Sequence, residues 1–556
     1  MPKPKPNPPR TERFSKLEEQ TFDALVLGGG ITGAGIALDL VARGLEVALI
    51  ERGDWASATS SASSRLVHGG LRYLEQFEFH LVRTSCLERA LLLENAAGLV
   101  WPERFTFPIH ETSPVPKWKL RAGLLLYTAV SIPRILGWPR SLDPAAVRRA
   151  IPGVRGEGLV GGGSYLDGAT DDARLTLAVV RTAMQRGAVA LSWTEAVGVE
   201  RGSEETEVRL IDRIEGREFS ARARRIVLAG GPGTDALRGM CGLTGSTWIQ
   251  PTRGSHITVP RERLPTDGAV ILHSAVDGRV LFLIPWPRYT VIGTTDIDAD
   301  PAQPPRATAA EVGYLLDSAN ALVPDAALTR SDVVATWAGL RPLLAANKRD
   351  PSARSREERI ALEGPFLTIA GGKLTAYRAM AEEVGARLAQ DLGRGDRTRH
   401  SPTRDLRLVG ALGERSIRPL WSHLTTAGLP AGWDLEEDGI TEVWERRYGS
   451  LRGAVGRLVS DTPRGMERLD PATRLGEVRW AIEHEDALGL RDVLFRRTDA
   501  GFEPLETALS SAERIADEMA RLLTWDGERR DRELAEARAE LHARQAWRGE
   551  RTTPSR

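Results

Sequence analysis

The residues from Thr59 to Glu75 combine side chains that could bind a ligand and act on it. The run reads Thr-Ser-Ser-Ala-Ser-Ser-Arg-Leu-Val-His-Gly-Gly-Leu-Arg-Tyr-Leu-Glu and includes His68, Arg72 and Tyr73. Hydroxyl and guanidinium groups donate hydrogen bonds, and a histidine can exchange a proton near neutral pH. We expect a segment this polar and rich in small residues to lie beside a ligand rather than in a core.

A glycine-rich turn precedes this run. Gly28 to Gly33 follows the apolar run Phe22 to Leu27 and begins a segment with a helical pattern, Ile31 to Arg43. A second predicted strand, Glu46 to Ile50, ends at Glu51. Strand, glycine turn, helix, second strand and terminal acid fall in the order of a dinucleotide-binding βαβ unit.

Each residue of this pattern has an expected role. Gly28 permits the tight turn, Gly30 lets the backbone approach a pyrophosphate, and Gly33 lets the helix pack closely on the strand. The phosphates would lie at the N-terminus of the helix, where backbone N–H groups point outward. Glu51 is placed to accept hydrogen bonds from the ribose hydroxyls, which disfavours a 2′-phosphate.

Composition excludes several classes of function. The 556 residues include 75 basic and 75 acidic side chains, so no overall charge attracts nucleic acid. Cys86 and Cys241 are the only cysteines, which excludes a thiolate metal cluster and fits a reducing compartment. The nine histidines are scattered, and His484 has no second histidine at helical spacing, so we predict no metal site.

The chain is long enough for several domains. Runs near Arg225 and Pro365 are predicted to be strands that return to the dinucleotide sheet. Four further runs are predicted to form a separate antiparallel sheet: His256–Val259, Ala269–His273, Val280–Pro285 and Thr290–Thr294. The predicted fold is α/β + α, with a Rossmann-like dinucleotide-binding domain, a discontinuous antiparallel-sheet substrate domain and a C-terminal helical domain. The expected bounds are a disordered tail at 1–20, the dinucleotide-binding domain at 21–75, 161–240 and 345–395, the substrate domain at 76–160 and 241–344, the helical domain at 396–525, and a charged tail at 526–556.

No apolar run reaches the length of about 20 residues that spans a bilayer. The most apolar segment is Ala122 to Ile132. We interpret it as a buried helix of the substrate domain. The alternative is an interfacial element, which the flanking Lys117, Lys119 and Arg121 would suit.

Several strings together resemble the FAD-dependent glycerol-3-phosphate dehydrogenases, a quinone-linked aerobic group among the D-amino-acid-oxidase-like flavoproteins. The resemblance rests on Ser63-Ser-Arg-Leu-Val-His-Gly-Gly-Leu-Arg-Tyr73, Gly254-Ser-His-Ile257, Ile292-Gly-Thr-Thr-Asp296, Gly339-Leu-Arg-Pro-Leu343 and Gly371-Gly-Lys-Leu-Thr375. It covers about residues 21 to 525. The chain departs at Val227-Leu-Ala-Gly-Gly-Pro-Gly233, where the family usually has Val-Asn-Ala-x-Gly-Pro-Trp.

The resemblance implies the cofactor, substrate and acceptor. FAD would be bound by the βαβ residues and by Thr59, Ser60, Ser64, Gly231 and Gly372. The substrate would be glycerol 3-phosphate, oxidised to dihydroxyacetone phosphate, and a membrane quinone would take the electrons. The enzyme would be cytoplasmic and peripherally attached to the inner face of the cell membrane, with a homodimer left open. The alternatives are an oxidase that makes hydrogen peroxide, a related hydroxy- or amino-acid oxidoreductase, and a non-catalytic flavin-binding protein.

The resemblance also assigns the substrate contacts. Arg341 and Lys373 would lie near the C2 oxygen, where negative charge develops as the hydroxyl proton leaves. Because a guanidinium stays protonated, Arg341 would stabilise this charge, whereas Lys373 or His68 could accept the proton. The substrate phosphate would be bound by Arg72, Tyr73, Thr375 and a second arginine, placed at Arg356 with Arg354 and Arg359 as competitors.

Overall fold

The computed structural model describes residues 6–75, 77–345, 358–394, 401–413 and 440–550. The helices are α1 (Arg10–Glu19), α2 (Ile31–Ala42), α3 (Phe79–Asn95), α4 (Lys117–Val130), α5 (Pro144–Ala150), α6 (Asp172–Gln185), α7 (Thr234–Met240), α8 (Ala309–Leu322), α9 (Tyr377–Asp391), α10 (Ile440–Tyr448), α11 (Arg452–Asp461), α12 (Gly476–Glu485), α13 (Leu490–Asp492), α14 (Leu505–Leu523) and α15 (Gly527–Arg544).

The strands belong to two large sheets and one short hairpin. They are β1 (Thr21–Leu27), β2 (Val47–Ile50), β3 (Leu66–Val67), β4 (Val100–His110), β5 (Arg140–Leu142), β6 (Leu159–Thr170), β7 (Val189–Leu191), β8 (Thr194–Arg201), β9 (Thr206–Asp212), β10 (Glu218–Leu228), β11 (Thr252–Pro260), β12 (Ala269–His273), β13 (Val280–Pro285), β14 (Tyr289–Gly293), β15 (Ile297–Asp298), β16 (Ala335–Arg341), β17 (Glu358–Glu363), β18 (Phe366–Gly371), β19 (Arg468–Asp470) and β20 (Thr473–Arg474).

The first sheet is the predicted dinucleotide sheet. Its strand order is β17-β18-β10-β1-β2-β7, and β18, β10, β1, β2 and β7 run parallel. Helices α2, α6 and α9 pack together, and residues from all three share a hydrophobic cluster with β1 and β2. Parallel strands covered by helices are apolar along their length, which is why Ala24 to Leu27 is almost wholly buried. The two runs expected to rejoin this sheet became β10 and β18, as predicted.

The second sheet has the order β15-β11-β14-β13-β12-β4-β6-β3, with β16 paired to β11. Its pairings are antiparallel apart from β12 with β4. The strands predicted at Ala269–His273 and Val280–Pro285 have the expected bounds. Two expected boundaries differ from the structure: β3 and all but the first two residues of β6 lie in residues assigned to the dinucleotide-binding domain, yet β6 pairs along the whole of β4, β3 pairs with β6, and both belong to this sheet.

Each expected tail contains a helix that packs on the rest of the protein. Helix α1 occupies residues expected to be disordered, because Phe14 and Leu17 are buried and Arg13 forms a buried 2.6 Å salt bridge with Asp486. Helix α15 occupies the expected charged tail. Leu534, Ala537 and Leu541 give it a buried face at helical spacing despite its many charges.

The predicted C-terminal helical region is confirmed. Helix α14 buries Ala508, Ala512, Ile515 and Met519, which recur every three or four residues. Helix α12 buries Val478, Trp480 and Ala481. Of the helices in the described ranges, none combines the length and apolar character that a bilayer crossing requires.

Candidate active site

A cavity of about 710 Å³ lies between the two large sheets. Its lining includes Leu27, Ile50 and Gly371, at the carboxyl ends of β1, β2 and β18, and His256 and Arg341 from β11 and β16 of the second sheet. Ligands of open α/β sheets bind beyond the carboxyl ends of the strands. The volume falls within the range of cofactor and small-molecule sites.

The glycine turn closes the cavity at the N-terminus of α2. Gly28 has φ +119°, and a Cβ there would lie 2.4 Å from the Ala229 carbonyl oxygen. A Cβ on Gly33 would lie 1.8 Å from the Gly28 carbonyl oxygen, so this glycine serves the packing of α2 on β1 and does not line the cavity. Gly30, Ile31 and Thr32 do line it. Backbone N–H groups at this helix N-terminus suit the binding of phosphate.

Glu51 holds the opposite side of this turn. Its carboxylate accepts hydrogen bonds from the backbone N–H of Gly29 at 2.6 Å and of Gly53 at 2.8 Å. Burial raises the pKa of Glu51, although these two N–H groups oppose the shift. A carboxylate has about four acceptor positions, so two remain for ribose hydroxyls.

The hydroxyl residues of the Thr59–Glu75 run tie it to other elements while lining the cavity. Ser60 Oγ accepts the N–H of Ile31 at 2.9 Å, and Thr59 Oγ1 donates to the Leu340 carbonyl oxygen at 2.6 Å. Gly231 and Gly372 also line the cavity, with φ +54° and +85°. A Cβ on Gly372 would lie 2.3 Å from Met380 Cε. The glycine cradle, the helix N-terminus and the Glu51 carboxylate together fit FAD.

Arg341 is held in place on the cavity wall by oxygen acceptors. Its Nη1 donates to Asp296 Oδ1 at 2.9 Å, and its Nη2 donates to Thr294 Oγ1 and to the Thr295 carbonyl oxygen, each at 3.0 Å. A Cβ on Gly254 would lie 2.4 Å from Nη2, so only glycine leaves room for the guanidinium. The site therefore contains a fixed positive charge.

Lys373, His68 and Thr375 also line the cavity. Lys373 Nζ lies 3.7 Å from the centroid of the Tyr73 ring, a cation–π distance. The backbone N–H of His68 donates to Thr375 Oγ1 at 3.2 Å. These two contacts bring the predicted residues of two distant motifs together.

The expected phosphate-binding residues are only partly brought to the cavity. Thr375 lines it, whereas Tyr73 is buried behind Lys373 and Arg72 is half-buried, with its guanidinium 5.7 Å from the Tyr73 ring. Arg356 and its competitor Arg354 lie outside the described residues. The other competitor, Arg359, stacks on Trp248 at 3.9 Å and does not line the cavity.

His256 lines the cavity and was not among the residues predicted for the site. Its ring stacks on Trp337 at 5.0 Å and 11°, and its Nε2 shares a 2.8 Å hydrogen bond with Ser64 Oγ. Burial, followed by the positive charges of Arg341 and Arg65, lowers the pKa of His256 to about 3. The imidazole is therefore neutral at physiological pH. The only sequence signal was its place in the Gly254-Ser-His-Ile motif.

Comparison with known families matches most of the chain. Residues 23–378 match the model described as FAD dependent oxidoreductase, and residues 401–530 match the C-terminal domain of alpha-glycerophosphate oxidase. The chain belongs to the FAD-dependent oxidoreductase family. This confirms FAD as the cofactor of the protein.

Relatives of this FAD-dependent oxidoreductase carry specific names. It is 36% identical to the glycerol-3-phosphate dehydrogenase of Mycobacterium leprae over 96% of this chain and 90% of that one. It is 32% identical to the aerobic glycerol-3-phosphate dehydrogenase of Staphylococcus saprophyticus over 93% and 94%. These names match the family expected from the motifs.

Two solved structures are similar to this oxidoreductase. The glycerol-3-phosphate dehydrogenase from Bacillus halodurans, complexed with FAD, has a TM-score of 0.80 and 31% identity over 98% of this chain and 99% of that one. The L-alpha-glycerophosphate oxidase from Mycoplasma pneumoniae, also with FAD, has a TM-score of 0.53 and 19% identity over 67% and 95%. The second likeness concerns the fold alone.

In the part of the oxidoreductase that the structure describes, no group of histidine, cysteine and carboxylate side chains is arranged to hold a metal ion. His484, considered above, stacks on Trp480 at 4.1 Å. Its ring therefore packs against an indole. The residues of the cavity offer hydrogen-bond donors and fixed positive charge.

Proposed function

We propose that the protein oxidises sn-glycerol 3-phosphate to dihydroxyacetone phosphate and passes the electrons to a membrane quinone. The observation that carries the proposal is the Arg341 guanidinium, oriented by Asp296, on the wall of a cavity that also fits FAD. The names of the full-length relatives support the choice of substrate.

Arg341 has a clear chemical task in this reaction. Loss of the hydroxyl proton builds negative charge on the substrate oxygen, and departure of the hydride from C2 then completes the carbonyl group. When bound, FAD supplies the acceptor of the hydride. A guanidinium stays protonated, so Arg341 orients the oxygen and stabilises its charge instead of accepting a proton.

The proton acceptor is then His68 or Lys373. The face of the Tyr73 ring, 3.7 Å from Lys373 Nζ, favours a charged ammonium. As an ammonium, Lys373 would be a second cation for the substrate oxygen. We therefore propose His68 as the proton acceptor, with Lys373 on the same cavity wall.

The substrate phosphate would be bound beside Thr375, which lines the cavity. Arg72 and Tyr73 follow His68 closely in the chain, and Thr375 Oγ1 accepts the N–H of His68. Arg72 does not line the cavity, so a charge-assisted hydrogen bond to the phosphate requires its guanidinium to turn from the Tyr73 ring, whose centroid lies 5.7 Å away. Arg356 remains assigned as a second arginine from the sequence.

The acceptor sets the location of the enzyme. A quinone is dissolved in lipid, so this assignment requires a peripheral contact with the inner face of the cell membrane. The second candidate is an oxidase that passes electrons to oxygen. It is favoured by the match of residues 401–530 to the C-terminal domain of alpha-glycerophosphate oxidase.

Anaerobic bleaching of the bound flavin by glycerol 3-phosphate tests cofactor, substrate and chemistry together. We expect rapid bleaching, followed by recovery of the flavin spectrum when a quinone analogue is added. A spectrum that glycerol 3-phosphate leaves unchanged would overturn the proposal. Stoichiometric hydrogen peroxide in air would favour the oxidase instead.

A further inference from the structure

The segment of residues 63–69, which includes His68, lies antiparallel against residues 167–172. Within this segment β3 pairs with β6, so that Leu66 lies opposite Ala169. Only two residues of β3 take part in this pairing, fewer than in most strands. The two ends of the segment are held instead by side chains of residues 167–172.

Asp172 holds the first end of the segment. Its Oδ2 accepts the backbone N–H of Ser63 at 2.8 Å, and its Oδ1 accepts the N–H of Ala173 at 3.0 Å. The Asp172 side chain is buried, so a lost hydrogen bond would leave a polar group without water or partner. Because Asp172 is the first residue of α6, the position of Ser63 is tied to that helix.

The residues that Asp172 holds orient His256. The carbonyl oxygen of Ser63 accepts the Nε1–H of Trp337 at 3.3 Å, and the Trp337 ring stacks on the His256 ring. Ser64 Oγ shares its 2.8 Å hydrogen bond with His256 Nε2. Ser63, Ser64 and His256 all line the cavity. A displacement of Ser63 would therefore reach the imidazole by two routes, the Trp337 indole and the Ser64 hydroxyl.

Asp167 holds the other end of the segment, beside His68. Its Oδ1 accepts the backbone N–H of Gly69 at 3.3 Å. Arg89 Nη1 donates to the same oxygen at 2.6 Å, and Tyr127 Oη donates to Oδ2 at 2.8 Å. All three of these side chains are buried. The loop of His68 is therefore held by a carboxylate that α3 and α4 keep in place.

We propose that Asp172 is a positioning residue for the reaction, which sets the place of Ser63 and Ser64 and through them that of His256. Asp167 does the same for the loop of the fifth residue involved, His68. Neither aspartate lines the cavity, so both act through the segment they hold. The inference rests on the proposed function, because the rate that depends on Asp172 is that of flavin reduction by glycerol 3-phosphate. A misplacement of about 1 Å in an active site can cost about 10² in rate.

Asp172 holds Ser63 best as a carboxylate. Protonation converts one acceptor position into a donor and removes the charge that strengthens the hydrogen bond. Burial raises the pKa of Asp172 to about 6; the positive charge of Arg65 opposes this rise and the negative charge of Asp171 adds to it. Arg65 in turn pairs with Asp499 of the C-terminal region at 3.5 Å. Acidification from pH 7 to pH 5 should therefore loosen the segment.

The first test is anaerobic reduction of the flavin of the holoenzyme by glycerol 3-phosphate between pH 5 and pH 8. Asp172→Ala removes both acceptor oxygens and should reduce the flavin about 10² more slowly at pH 7.5. Asp172→Asn keeps the shape and one acceptor oxygen but cannot ionise, so its loss at pH 7.5 should be smaller. The unaltered enzyme should lose rate as the pH falls through 6. Asp172→Asn should lose less over this interval, because only the loss due to protonation of other groups, such as His68, remains.

The matched control is Asp171→Asn, which makes the same change of charge at the same helix N-terminus. Asp171 caps α6 by accepting the N–H of Arg174 at 3.0 Å, whereas Asp172 accepts the N–H of Ser63. The control should keep the rate and the pH profile of the unaltered enzyme. Equal changes in Asp171→Asn and Asp172→Asn would overturn the proposal, and so would an unaltered rate in Asp172→Ala.

Amide hydrogen exchange of the flavin-loaded protein separates this inference from the proposed function, because it needs no substrate. Asp172→Ala should speed exchange in peptides that cover residues 59–75 by at least about tenfold relative to peptides of β1 and β10. Equal acceleration in all peptides would show a general loss of stability and overturn the proposal. If exchange changes locally but glycerol 3-phosphate bleaches no form of the protein, Asp172 still holds the segment and the proposed function fails.

Discussion

Arg497 and Asp54 form a buried bidentate salt bridge between the C-terminal helical region and the cofactor loop. Both Arg497 Nη atoms lie 2.7 Å from an Asp54 oxygen, and the two side chains are 1% and 0% exposed. Arg497 also donates to the Glu485 carbonyl oxygen. Asp54 lies three residues after Glu51, whose carboxylate is placed for the cofactor ribose. The salt bridge therefore ties the C-terminal region to the segment that carries Glu51.

Arg497→Ala should destabilise the protein by about 3–5 kcal/mol, because it leaves the Asp54 carboxylate buried with one partner removed. Burial alone would raise the pKa of Asp54, but Arg497 and Arg496 outweigh it and lower the pKa. The variant should also release FAD more readily. The measurements are the free energy of unfolding in urea and the flavin retained after gel filtration.

The control for this prediction is Arg491→Ala in the same region. Arg491 pairs with Glu536 on the surface, where both side chains are about a third or more exposed. Its loss should change stability by about 1 kcal/mol or less and leave flavin retention normal. Equal effects of the two substitutions would show that Arg497 does not hold the cofactor loop.

Arg341→Ala should lower kcat by about 10² or more, because the guanidinium acts on charge that develops in the transition state. The measurement is the rate of anaerobic flavin reduction by glycerol 3-phosphate, with flavin content near normal. Arg279→Ala is the control. Arg279 donates to the backbone carbonyl oxygen of Asp296 but does not line the cavity. Near-normal reduction by Arg341→Ala would remove this residue from the mechanism.

Arg72 should determine the preference for a phosphorylated substrate. Each lost charge-assisted hydrogen bond is worth roughly 1.5–3 kcal/mol. Arg72→Ala should therefore lower kcat/KM for glycerol 3-phosphate by about 10 to 10² while barely changing the slow reaction with glycerol. Arg72→Lys should restore part of the loss, because an ammonium cannot donate as a planar fork. Equal proportional losses for both substrates would show that Arg72 supports the fold or the flavin.

His256 should make stability fall as the pH falls. Its pKa is about 3 in the folded protein and 6.5 as a free side chain, so between these values the unfolded chain binds one more proton. From pH 6.5 to pH 5 this difference removes about 2 kcal/mol of stability. His256→Gln should lose less stability over that interval by about this amount, measured as free energy of unfolding. His542→Gln, at an exposed position, is the control. An unaltered pH dependence in His256→Gln would contradict the buried neutral imidazole.

The sequence alone determined the features that depend on short spacings. The glycines from Gly28 to Gly33, with Glu51 at the end of the next strand, indicated the dinucleotide unit, because a turn, a helix and a strand follow local rules of residue type and period. The strands at Ala269–His273 and Val280–Pro285 were predictable for the same reason. The specific strings around His68 and Lys373 indicated the family.

Only the tertiary structure decided the partners of buried polar groups. His256 meets Ser64, and Arg497 meets Asp54, across long separations in the chain. Which side chains meet depends on how the two sheets and the C-terminal helices pack, and no local pattern encodes that arrangement. Helices α1 and α15 could not be predicted from local sequence for the same reason. Their many charged residues are typical of solvent-exposed terminal segments. They are helical because the folded protein offers apolar surface and buried ionic partners that the isolated segments lack.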